Sequence, residues 1–116
     1  MLKTSTGLRT AMLDTASART ALNLGKINIY SGAVPATADA AVTGTLLCTI
    51  TNNSTATGIT LDTAVAGSIP KTASEVWSGV NVATATASYY RHVGASDTGA
   101  LSTTEPRVQG LIATSG

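Results

Sequence analysis

Lys26-Ile27-Asn28-Ile29-Tyr30 alternates residue by residue. Ile27 and Ile29 fall on one face of an extended chain, and Lys26, Asn28 and Tyr30 on the other. This stretch decides the fold, because the residues before it follow a different period. Residues 6–24 predict the one helix of the chain. Thr6 offers an N-cap, and Leu8, Met12, Ala16 and Leu22 give a ragged apolar face with Ala11, Leu13 and Ala18 beside it. Gly25 stands where a C′ glycine would end the helix. Arg9 and Arg19 lie away from the densest apolar positions. The face lacks large residues, so two placements stay open: packed on the chain's own sheet, or an arm docked on a neighbouring subunit.

Downstream, the apolar run Leu46-Leu47-Cys48-Thr49-Ile50-Thr51 predicts the best buried strand. Gly32, Pro35, Asp39 and Gly44 mark residues 31–45 as a long connection, with room for one helical turn near 37–41. Asn52 to Thr55 reads as a turn, 58–61 as a short strand, and 62–67 as a bend leading to Pro70, which disfavours a central strand. A strand pair is expected from Glu75 to Val93, the alternating Val80 to Thr86 included. A loop follows at 94–104, and the last strand is expected at Arg107 to Ala113. Short strands at regular spacing predict a mainly β chain, a single antiparallel β-sandwich or barrel of the jelly-roll or Ig-like kind with one N-terminal α-helix. Residues 1–25 are the helical segment and 26–116 the β domain of one structural unit. The last strand lacks an evident partner, which suggests a further strand or an edge completed by a neighbour.

Composition sets the limits. The chain has 116 residues, enough for one core. It has no Phe, one Trp and three Tyr, so the core must be built of small and branched side chains. Only 11% of residues are charged and the net charge is +1. The cations are scattered and form no stripe along which a phosphate backbone would lie, so a nucleic-acid partner is not expected. Residues 1–25 hold Lys3, Arg9, Asp14 and Arg19 and no unbroken apolar run, which fits neither a signal peptide nor a membrane span. Cys48 is the single cysteine and reads as a small buried hydrophobe.

The residues that could carry chemistry are few. His92 is the single histidine. A set with Ser88 or Ser96 and Asp97 would lie on one strand and its loop, without the convergence a catalytic triad needs. The carboxylates Asp14, Asp39, Asp62, Glu75, Asp97 and Glu105 are unpaired in sequence, and no calcium loop, paired-histidine or phosphate-loop pattern occurs. No catalytic residue, cofactor or metal site is expected. Trp77 weighs as a core anchor ahead of an exposed ligand platform. Of Tyr89 and Tyr90 one faces inward, and the outward one, taken as Tyr90, is the better contact residue. Arg91 and Arg107 read as ion-pair or interface residues. Leu8, Met12, Leu13, Tyr90 and Arg107 are the candidate intersubunit contacts.

Ser5-Thr6-Gly7-Leu8-Arg9, the segment Gly25 to Ala41 with its Ile29-Tyr30-Ser31-Gly32 and Ala38-Asp39-Ala40-Ala41, Gly44-Thr45-Leu46-Leu47, Trp77-Ser78-Gly79 and Tyr89-Tyr90-Arg91 occur in that order. This pattern resembles small uncharacterised structural proteins of tailed bacteriophages and prophages over nearly the whole chain. The resemblance implies a virion component assembled in the bacterial cytoplasm, foremost a capsid decoration or cement protein. It would contact the major capsid protein or other virion proteins and form a trimer or ring. It also implies a further strand beyond Gly116. Two other readings remain: a tail, neck or fibre-attachment protein, and a receptor- or carbohydrate-binding module using Trp77 and Tyr90.

Overall fold

The computed structural model describes residues 1–113. Its elements run β1 (Lys3–Thr4), α1 (Thr6–Leu13), α2 (Ala18–Leu22), β2 (Lys26–Ser31), β3 (Leu46–Asn52), β4 (Trp77–Ser78), β5 (Ala87–Val93) and β6 (Arg107–Leu111). All strands pair antiparallel in the order β1-β6-β5-β2-β3-β4. The chain is mainly β, as the alternating stretches predict. A single sheet of six strands carries it. What faces the sheet is a long connection on one side and two helices on the other, in place of a second sheet.

Two expected strands are reduced to isolated bridges. Val80 to Thr86 alternates, but its even-numbered valines have nothing to bury against: Val80 and Val82 are 70% and 69% exposed. The segment keeps only a bridge from Asn81 to Cys48 and the bond from Val82 N–H to the Leu47 carbonyl at 2.8 Å. Residues 58–61 make isolated bridges, Gly25 to Ile59 and Leu61 to Lys71, although Ile59 and Leu61 are both buried on one side as expected.

The expected helix over 6–24 is two. Ser5 rather than Thr6 caps α1, its Oγ accepting from Leu8 N–H at 3.1 Å, and Ser17 caps α2, accepting from Thr20 N–H at 3.1 Å. Short polar side chains between Asp14 and Ser17 compete for backbone groups, so the helix restarts instead of continuing. The left-handed residue after α2 is Leu24, at φ 58°. Gly25 is needed for another reason: it is buried, and a Cβ there would collide with the carbonyl oxygen of Val93.

The N-terminal segment belongs to the chain's own domain. β1 pairs with β6 through Lys3–Gln109 and Thr4–Val108, and Leu8 joins Leu22 and Leu61 in an apolar cluster with Ala21, Trp77 and Val108 against it. A docking arm is thereby ruled out for Leu8, which is 1% exposed. β6 is likewise not an unpartnered strand, since β5 and β1 flank it. Trp77 is half-buried at the rim of the cluster, less enclosed than a core anchor. Cys48 is buried as expected.

The two contrasting leucines of α1 give a direct check. Leu8→Ala should cost about 2–5 kcal/mol in urea denaturation, the range for a buried leucine. Leu13→Ala, at a position 89% exposed, should stay within about 0.5 kcal/mol.

Candidate functional site

Strand register decides which side chains meet. Asn28 lies opposite Arg91, Arg91 opposite Gln109, Tyr30 opposite Tyr89, and Val93 opposite Arg107. Because alternate residues share a face, these seven side chains form one surface of the sheet, and all of them are buried. Ile27, Ile29, Tyr90, His92 and Val108 face the helices and are only partly covered. The more polar face is therefore the better buried one.

A buried guanidinium must find acceptors for its N–H groups or cost several kcal/mol. The connection from residue 31 to 45 supplies them from its own backbone. Arg91 donates to the carbonyls of Ala40 at 2.8 Å and Thr37 at 3.2 Å, and to Gln109 Oε1 at 2.8 Å. Gln109 in turn donates to the Pro35 carbonyl at 2.9 Å. Arg107 donates to the carbonyls of Ala38, Asp39 and Ala100, and binds Asp97 through both carboxylate oxygens at 2.6 and 2.8 Å. Tyr89 stacks on Tyr30, ring centroids 5.0 Å apart, and donates its hydroxyl to the Thr43 carbonyl at 2.6 Å. The connection is thus fastened along its length by side chains of β5 and β6.

Charge follows this arrangement. Burial works against ionisation of Asp97, but the Arg107 hydrogen bond, the Gly99 N–H and the Arg107 charge outweigh it and hold its carboxyl below the usual range. Hydrogen bonds from the Thr6 hydroxyl and N–H likewise lower Asp39. Burial depresses His92, only partly offset by the hydrogen bond its Nε2–H donates to the Leu22 carbonyl at 3.1 Å. Desolvation, with Arg107 nearby, lowers Arg91.

The candidate residues separate clearly. Asp97 is taken by Arg107 and His92 by Leu22, so the imagined set with Ser88 or Ser96 is not brought together. Among the described residues, no group of three metal-ligating side chains occurs. Arg107 forms the expected ion pair, but it is 1% exposed and lies inside the domain, so its assignment to an intersubunit surface is corrected together with that of Leu8. Tyr90 is half-buried, its ring lying close over Gly110. Met12 and Leu13 remain at the surface, 44% and 89% exposed. Trp77 donates its indole N–H to Glu75 Oε2 at 2.9 Å. Glu75 also accepts from Thr60 and Asn52, which keeps its carboxyl below the ordinary value.

Sequence reasoning missed Lys3, Arg9 and Asp39. They line a cleft of about 240 Å³ with Thr4 and residues 36–38. The signal that could have led to them is the parity of Arg91, Arg107 and Gln109, polar residues at inward positions of strands whose neighbours Tyr89 and Val93 are apolar. Compared with known proteins, the chain matches no family model, no curated protein and no solved structure at a significant level.

Stability should fall with acid in two stages. A histidine with a lowered pKa resists protonation in the folded state, so stability is full above its ordinary 6.5 and declines as pH falls below it. Asp97 and Asp39, lowered from 3.8, contribute stability that is full above that value and lost as pH falls further. Denaturation midpoints measured from pH 8 to pH 2 should show both stages. Asp97→Asn should cost about 3–5 kcal/mol at pH 7, since it leaves Arg107 buried without its counter-charge, and should flatten the lower stage.

Proposed function

We propose that the chain is a structural protein of a tailed-bacteriophage virion, and within it a decoration protein on the capsid. The sequence pattern suggests the class, and one structural observation supports it. The surface carries apolar side chains that the domain does not cover. Continuing the β1–β6 register places Met1 opposite Leu111. Met1 and Leu111, 79% and 54% exposed, fall on one face of this edge, and Leu2, 64% exposed, on the other. Met12, Leu13, Val80, Val82 and Leu101 add further exposed positions. A chain with 11% charged residues and this exposed apolar content gains by burial on neighbours. Repetition of modest contacts over a shell then supplies the avidity.

Trp77 gives the carbohydrate reading little support, because its indole N–H is committed to Glu75 and its ring packs against the Leu8–Leu22–Leu61 cluster.

The test is the protein's copy number in particles purified from the phage or prophage that encodes it. Copies comparable with the major capsid protein are expected, and deleting the gene should lower the temperature at which particles release DNA. A few copies per particle would place the protein in the tail or neck and overturn the decoration assignment. Its absence from purified particles would overturn the virion reading altogether.

A further inference from the structure

The cleft beside β1 has a chemistry that the fold itself imposes. Its floor is residues 36–39. The carbonyls of Thr37 and Ala38 turn inward to Arg91 and Arg107. In a trans peptide the N–H points opposite to the carbonyl, and no peptide among the described residues is cis. The N–H groups of Ala38 and Asp39 therefore point away from the buried arginines, and both residues line the cleft. Neither finds an acceptor among the described residues, although Ala38 is only 1% exposed. An enclosed amide left in that condition is costly, and successive outward amides form an anion-binding concavity.

The rim adds charge of the same sign. Lys3 Nζ donates to the Ala36 carbonyl at 2.7 Å, and Arg9 donates to the Thr4 carbonyl at 2.6 Å and the Thr6 hydroxyl at 3.0 Å. Neither is paired with a carboxylate, and both keep N–H groups to spare. Asp39 is the one acidic residue of the cleft, and both its oxygens are occupied by Thr6, at 2.7 and 2.6 Å. Behind the floor lie Arg91 and Arg107, of which only Arg107 has a carboxylate partner.

We propose that this cleft is a binding site for a carboxylate, the acidic side chain of a protein partner. Two amides and two cations match two carboxylate oxygens. The fixed negative charge of Asp39 disfavours a dianion such as phosphate relative to a monoanion. The proposal stands apart from the virion reading, since it follows from the cleft alone.

Amide NMR of the labelled full chain tests it. A blocked tripeptide with a central glutamate should shift the Ala38 and Asp39 resonances to saturation at constant ionic strength, and its glutamine counterpart should not. Arg9→Ala and Lys3→Ala should each weaken the response about tenfold, the loss of one charge-assisted hydrogen bond, with the Tyr89 and Gly99 amides unmoved as the sign of an intact fold. A linear, unsaturated shift with the glutamate peptide would overturn the site. So would equal binding of the two peptides, or unchanged affinity in both variants. Inorganic phosphate binding more tightly than the glutamate peptide would overturn the carboxylate assignment.

Discussion

Two guanidiniums without access to water govern this structure. Arg91 and Arg107 project from neighbouring strands onto the same face and must be satisfied there, because a buried guanidinium without acceptors costs several kcal/mol, a large share of the stability of a domain this size. Their acceptors are backbone carbonyls of an otherwise irregular connection, which can present oxygens in the several directions a planar fork of donors requires. The order of residues 31–45 is therefore a consequence of the sheet. It explains how a segment dominated by alanine, threonine and glycine holds a fixed course with so little apolar surface of its own.

The opposite face works by ordinary packing, on a small scale. Leu8, Leu22 and Leu61 make its centre, with Val108 from the sheet and Trp77 at the rim. A chain without phenylalanine cannot fill a thick apolar layer, and the polar layer on the other side makes up for part of this. Hydrogen bonds there add direction as well as energy: each fixes one carbonyl of the connection, whereas apolar contacts would allow it to slide. The cost is coupling, since Arg107 relies on Asp97 and Arg91 on Gln109, and loss of either acceptor leaves a buried guanidinium short of a partner.

Much of the sheet was legible in the sequence. Lys26 to Tyr30 and Leu46 to Thr51 coincide with β2 and β3 to within a residue, because alternation or an apolar run between turn residues is a local signal, and β5 is the second half of the strand expected to run on from Val80. The 6–24 helix was misread at one place, where Ser17 could be seen as an interior residue or as a second cap. The 80–86 strand was misread because alternation describes a possible face without showing that anything covers it. Least legible was the burial of the polar face. Asn28, Arg91 and Gln109 look solvated one by one, and only their alignment across three strands shows that they form a layer. The cleft beside it depends on peptide orientations that composition does not encode.

The pairing of β1 with β6 has a bearing on how the protein comes into being. Ser5 bonds with Arg107 across 102 positions of chain, and the sheet's centre joins β2 to β5 across 56 to 67. Contacts this distant delay folding, because loop closure must come before the contacts that reward it. The polar layer cannot assemble until Arg107 and Gln109 have left the ribosome, and until then the 31–45 connection has no donors to hold it. Assembly of this layer therefore waits on β6. The nascent N-terminal leucines spend that interval unburied, within reach of chaperones and of one another.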